Sequence, residues 1–414
     1  VLNGLLLGGL VLWGRRQYQV PGLGRWLLPL LALKLVAGAA ACYLLSEDGA
    51  YYQRWGLALT EQLWERPGKW LQTLAGDYFW HGGASLTFHG YSNSFFLIKL
   101  LSGLNLASRG SLLLNGLYLS VFCFVGSWEL TAAVARALPA TPRGAPLVAF
   151  LLWPTVVYWT AGLTKECLLL GSGAWLLALV VRWLYGAEAP RPATLAGAVA
   201  LAVLQFKMRF FFAALLFAAL AGLAVIRLTQ HLGGARRRWV QAALFAATLS
   251  VGGWGASEIS PVFRLNKFTN QLIRINSDLL AGAQARPHIE YEHLAPTVES
   301  MLRNAPQAIG SALLRPMPWE DAAPLYVGAG LENLLLLAVL GALGVALWRR
   351  QPGQLPFALV LALGFYCLAL AALLGLSTPN LGTLSRYRSA LLPYLLLLAL
   401  QHDVAARWLR RIGL

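Results

Sequence analysis

The apolar residues of this chain come in runs of about 17 to 25, the length a helix needs to cross roughly 30 Å of hydrocarbon. No water reaches a backbone at that depth, so such runs fold as helices that satisfy their own N–H and C=O groups. A soluble domain carries roughly 25% charged residues; the 414 residues here are 12% charged and 58% hydrophobic. The expected fold class is all-α, a polytopic transmembrane helical bundle forming one integral membrane domain over 1–414. About eleven spans are expected, roughly at 1–13, 26–46, 111–134, 146–161, 165–184, 193–206, 209–227, 239–256, 330–348, 355–376 and 386–401. Val1 stands where a Met would and opens inside an apolar run, so the true N-terminus is expected to lie further upstream. No cleavable signal pattern is visible.

The net charge of +16 is spread over short loops rather than gathered in a patch, so a nucleic-acid partner is not expected. Alternate loops hold Arg15, Arg16 and Arg25, then Arg136 and Arg143, Arg182 and Arg191, Arg227 and Arg236 to Arg238, Arg349 and Arg350, and Arg407, Arg410 and Arg411. The positive-inside rule assigns these loops to the cytoplasm. They are short and lack a Gly-rich phosphate loop leading into a helix, which excludes a nucleotide site there. Two long segments, 47–110 and 257–329, then fall on the extracytoplasmic side. In the first, Trp55, Leu59 and Leu63 recur at helical spacing, with Trp64, Trp70, Leu71 and Leu74 beyond Pro67, as in helices lying at headgroup depth. In the second, Phe268, Leu272, Ile275 and Leu279 mark another amphipathic helix. Membrane lipids are thus expected partners. Cys42, Cys123, Cys167 and Cys367 lie in or beside apolar spans without metal-site spacing, and packing is their expected role.

One outer turn carries Lys165 and Glu166 side by side, and adjacent helical residues do not face each other. A structural account has Thr164 capping the helix, Glu166 favoured in its first turn and Lys165 snorkelling. A functional account has Lys165 facing an outer cavity and binding a phosphate or an acidic sugar, and the two are compatible. On the same expected face lie Glu47 and Asp48 after the second span, Lys207 and Arg209 in the turn "FKMRF", Arg315, Trp319, Glu320 and Asp321 in "LLRPMPWED", Glu332, and Arg386 and Arg388 in "SRYRSALLPY". Ionisable groups at membrane depth or cavity mouths point to function by default. Each also has a plainer role: Asp48 as a cap, Arg386 or Arg388 as a headgroup anchor, Trp319 and Glu320 as a packed turn, Glu332 as a helix N-terminal charge. His81 and His89 could ligate a metal with Asp77, although their spacing is not a metal signature. Lys34 and Glu129, both within spans, are expected to pair inside the bundle.

An Asp just after an early span, a long outer loop with interfacial helices and a late Arg-x-Arg opening a final span together resemble the GT-C superfamily of polyprenyl-phosphate-dependent membrane glycosyltransferases. "PTVVYWTAGLTKE" and "RPMPWED…LEN" are similar to segments of bacterial membrane proteins grouped with exopolysaccharide synthesis. The resemblance implies inverting transfer of a sugar from a polyprenyl-phosphate-linked donor to a glycan or lipid acceptor, on the extracytoplasmic face of a bacterial inner membrane. It implies Asp48 as the catalytic base and Arg386 and Arg388 on the leaving phosphate, with Lys165 or Arg209 assisting. Glu47, Glu166, Lys207, Arg315, Trp319 and Glu320 complete the expected substrate-binding set. No cofactor is called for. Glu47 precedes Asp48 but there is no Asp-x-Asp pair, which leaves a divalent metal open. Competing readings are a polysaccharide polymerase or ligase, and a lipid-linked-sugar flippase or transporter.

Overall fold

Helices form wherever the apolar runs demanded them, and the exceptions follow the prolines. The computed structural model describes residues 2–44, 47–88, 92–186, 188–284, 286–411 and 413. Among these, six helices are long and apolar enough to cross a membrane: Gly24–Leu44, Leu112–Ala137, Lys165–Tyr185, Phe210–His231, Pro324–Trp348 and Phe357–Ser377. Three more expected spans are helical, as Leu2–Tyr18, Pro192–Met208 and Arg238–Ile259, but fall outside that group. The expected spans 146–161 and 386–401 are broken. The first becomes Gly144–Leu147, a π-helical turn Val148–Leu152 and Pro154–Trp159. Pro154 donates no N–H, and the residue before a proline is pushed to extended backbone, which Trp153 adopts (φ −63°, ψ 128°). The second becomes Leu381–Tyr387, a 3-10 turn Arg388–Ala390, and Leu392–Leu400 with Pro393 in its first turn.

The chain divides into two compact units. The first comprises Val1–Ala133, Val157–Leu179 and Ala189–Ala213. Here the Glu47–Glu65 helix packs on Asn93–Ser108 through a buried face running Gly49, Tyr52, Gln53, Gly56, Leu59, Gln62. That face is offset from the Trp55, Leu59, Leu63 stripe read from the sequence, because polar side chains go inside with partners. Asn115 Nδ2 donates to Gln53 Oε1 (2.9 Å) and Asn105 Oδ1 (2.7 Å), while Asn105 Nδ2 donates to Thr60 Oγ1 (3.0 Å). The Leu112–Ala137 and Lys165–Tyr185 helices meet at Gly126 and Gly171, where a Cβ on Gly126 would sit 2.1 Å from the Gly171 carbonyl oxygen. Small residues permit this approach in a bundle. Lys34 Nζ donates to Thr160 Oγ1 (2.7 Å) rather than pairing with Glu129, which accepts from Trp13 Nε1 (2.6 Å) and Gln17 Nε2 (2.9 Å). Tyr78–His81 and Ala84–Thr87 form an antiparallel hairpin, turned by Gly82 and Gly83, both at positive φ.

The second unit comprises Val134–Val156, Val180–Glu188 and Ala214–Leu414. Its 257–329 stretch is mostly helical, as Leu265–Ala281 and Val298–Leu314. Leu272, Met301, Ala308 and Leu376 form a buried cluster with Phe268, Tyr291 and Leu373 packed against it. Val298–Leu314 lies so close to Phe357–Ser377 that a Cβ on Gly375 would fall 2.2 Å from the Ala308 carbonyl oxygen. The segment at His288 then docks on the chain before Leu381, through an isolated bridge between His288 and Asn380 and with Ile289 N donating to Pro379 O (2.9 Å).

Candidate functional site

Two polar assemblies contain the residues singled out by sequence, one in each unit.

In the first unit, the turn before the Lys165–Tyr185 helix is fixed from within. Gly162 takes a positive φ of 72°, and its N–H donates to Ser120 Oγ (2.9 Å). Thr164 Oγ1 turns back to the Trp159 carbonyl (3.2 Å). Lys165 then leaves the helix and reaches another element: its Nζ donates to Asn93 Oδ1 (2.9 Å) and Ser94 Oγ (2.8 Å) and lies 5.0 Å from the centre of the Tyr52 ring. Asn93 and Ser94 begin the Asn93–Ser108 helix, which Ser92 caps by accepting from Phe95 N (3.2 Å). A helix N-terminus carries about half a positive charge, so an ammonium beside it concentrates positive potential. Asp48 lies in the exposed first turn of Glu47–Glu65 with Glu47. It stands four residues before Tyr52, on the same helix face, so Asp48 is one turn from the ring beneath Lys165.

Glu166 points inward and is buried, with Oε1 3.6 Å from Arg209 Nη2. Arg209 is the single extended residue between the Pro192–Met208 and Phe210–His231 helices, and its guanidinium lies 5.0 Å from the centre of the Phe212 ring. Lys207 is exposed. Lys99, on the Asn93–Ser108 helix, donates to the Leu74 (3.1 Å) and Gly76 (2.5 Å) carbonyls that end the Pro67–Ala75 helix. Burial holds the Lys99 ammonium below its ordinary pKa; Asp77 opposes that shift and Lys207 adds to it. The sequence singled out Lys165, Glu166, Asp48 and Arg209, but not Tyr52, Asn93, Ser94 or Lys99. The one available signal for Tyr52 was its place four residues after Asp48.

In the second unit, Arg315 follows the Val298–Leu314 helix and its Nε donates to both Glu320 oxygens (2.9 and 3.1 Å). Arg388 is wholly buried and stays internal: its Nη1 donates to the Leu313 (3.2 Å) and Arg315 (3.3 Å) carbonyls, where a cation suits the helix C-terminus. Arg388 therefore holds the backbone of Arg315. Glu332 Oε2 accepts from Thr155 N (2.9 Å). Arg386 is half-buried, and Trp319 is 74% exposed. Arg315, Glu320 and Asp321 line an open cleft of about 740 Å³. Its other wall is formed by Gln284, Arg286, Pro287, His288 and Glu290, while Ile289 is buried beneath.

His288 Nδ1 bonds the Arg286 carbonyl (2.8 Å) and its Nε2 bonds Glu290 Oε1 (2.9 Å). Both partners are acceptors, so the two bonds coexist only in the doubly protonated ring. Accordingly the Arg286 carbonyl, and after it Glu290, raise the His288 pKa above its ordinary value.

Among the described residues no group of three or more His, Cys, Asp or Glu side chains is placed to hold a metal ion. His81 pairs with Glu65 (3.3 Å), and His89 lies outside the described residues. Compared with known proteins, the chain matches no family model, no curated protein and no solved structure.

Proposed function

We propose that the chain is a membrane glycosyltransferase that takes a sugar from a polyprenyl-phosphate-linked donor and passes it to a glycan or lipid acceptor on the extracytoplasmic face, in cell-envelope glycan synthesis. One observation carries the reading. Lys165 is held at the N-terminus of the Asn93–Ser108 helix, so an ammonium and a helix dipole add at one point, beside an exposed carboxylate turn. An anionic group gains from both sources of positive potential. A lipid phosphate is the anion that a protein built from apolar helices meets at the membrane surface.

The chemistry fits the residues gathered there. In transfer, the acceptor oxygen attacks the anomeric carbon, the bond from that carbon to the phosphate oxygen breaks, and the acceptor hydroxyl gives up its proton. Asp48 takes that proton as general base. The leaving group is already a phosphate, so it departs without being protonated and needs positive charge, which Lys165 supplies with Arg209 behind it. Arg209 is itself tied to buried Glu166, so it serves first to hold the Lys165–Glu166 turn in place. The outward-facing site rests on the arginine-rich loops read as cytoplasmic, and the bacterial inner membrane on the resemblance alone.

The test supplies the purified chain in lipid with polyprenyl-phosphate and polyprenyl-pyrophosphate sugars and follows release of the free lipid phosphate. The expected result is release by the wild type and loss of at least about a hundredfold in Asp48→Asn, the scale of a general base. Binding of these lipids by both proteins with no turnover would replace the transferase with a carrier of lipid-linked sugars.

A further inference from the structure

We infer that the cleft of the second unit is a saccharide site that takes an uncharged, hydroxyl-rich ligand.

Its charges are balanced. Arg286, Arg315 and His288 line the cleft together with Glu290, Glu320 and Asp321, and its volume of about 740 Å³ is within the usual range for ligand pockets. Two of these form ion pairs, Arg315 with Glu320 and His288 with Glu290. A polyanion entering here would bring its charge against three carboxylates, and an apolar ligand would strip water from these charged groups without offering them a hydrogen bond. A chain of hydroxyls suits both halves. Each hydroxyl donates to a carboxylate and accepts from a guanidinium, and planar carboxylate and guanidinium groups offer paired atoms to neighbouring hydroxyls.

The walls are also held in position. The Arg315 backbone is fixed by buried Arg388, and the opposite wall is pinned by the Ile289–Pro379 bond and by Ile289 packed inside. Preset polar groups recognise a ligand without first paying to order themselves.

The test uses the full chain in lipid nanodiscs and saturation-transfer NMR titrations. The probes are neutral oligosaccharides of glucose, galactose, mannose and N-acetylglucosamine, an oligogalacturonate, and inorganic pyrophosphate. The expected result is binding of at least one neutral oligosaccharide that pyrophosphate does not displace. That binding should weaken about tenfold or more in Glu320→Gln and in Arg286→Ala, the loss expected for a hydrogen bond to a charged group. Arg286 is exposed, so its truncation leaves the fold intact and isolates recognition from folding. Binding by none of the neutral probes, binding only of oligogalacturonate or pyrophosphate, or unchanged affinity in both variants overturns the inference. A chain that releases lipid phosphate but binds no neutral saccharide refutes the cleft alone. One that binds saccharide through Glu320 and Arg286 but turns over no donor refutes the transferase alone.

Discussion

The Glu166–Arg209 pair should be strongly coupled, and a double-mutant cycle measures it. The Glu166 side chain is 1% exposed and Arg209 17%, with 3.6 Å between charged atoms. At an effective dielectric of about 20, unit charges at that distance attract by about 4–5 kcal/mol. Part of that offsets the desolvation of Glu166, so the net coupling is expected near 2 kcal/mol or above. Arg209→Met takes this cation from a buried carboxylate, and such a break costs about 3–5 kcal/mol. Glu166→Gln should cost less, because the arginine left behind is partly exposed and can turn toward headgroups or water. The loss in the double variant should be well below the sum of the two single losses. The assay is equilibrium unfolding in mixed micelles, following helix content for the four proteins. Losses that add to within about 0.5 kcal/mol would mean that the two groups do not interact in the folded protein, and would refute the reasoning.

Other changes have equally definite outcomes. Gly375→Val must push the Val298–Leu314 helix away, since the Ala308 carbonyl oxygen is backbone and cannot yield. A loss of about 1–3 kcal/mol or more is expected in the same unfolding assay. Gly364→Ala on the same helix meets nothing within 4 Å and should leave stability unchanged or slightly raised. Asn115→Leu removes the donor to two buried amide oxygens, Gln53 Oε1 and Asn105 Oδ1, and should cost about 1–3 kcal/mol in thermal unfolding. His288 has a folded pKa raised above 6.5, so its contribution is fully present below that value and fades as pH rises through the folded one. The difference in unfolding temperature between wild type and His288→Gln should therefore be larger in acid than in alkaline buffer; a difference flat across pH contradicts the doubly bonded ring.

Much of the bundle is legible because hydropathy and length are local properties. The six long apolar helices need no knowledge of neighbours, whereas of the Phe268, Leu272, Ile275 and Leu279 stripe only Leu272 is buried and Ile275 is exposed, because Thr269 and Asn276 share the inner face of the Leu265–Ala281 helix. What escaped depends on backbone chemistry or on partners. Hydropathy weighs the side chain of Pro154 but not its missing N–H, so a broken segment reads as one span. Pro306 within Val298–Leu314 hid a helix in the opposite way. Gln53 and Gln62 sit on the buried face of Glu47–Glu65, and nothing in that helix announces that Asn115 and the Trp80 carbonyl await them. The same holds for the candidate site. Lys165 stands out as a charge in an apolar run, whereas Asn93 and Ser94 become its partners only through folding.

The central claim is that the lipid phosphate is held at Lys165, and its affinity there tests that most directly. Binding of a polyprenyl monophosphate to the chain in nanodiscs would be measured by native mass spectrometry for wild type, Lys165→Gln and Lys69→Gln. Lys69 is an exposed lysine whose ammonium lies 5.8 Å from the Trp80 ring centre. The account predicts at least about tenfold weaker binding for Lys165→Gln, the loss of one charge-assisted bond, and little change for Lys69→Gln. Equal affinity in all three proteins would contradict it.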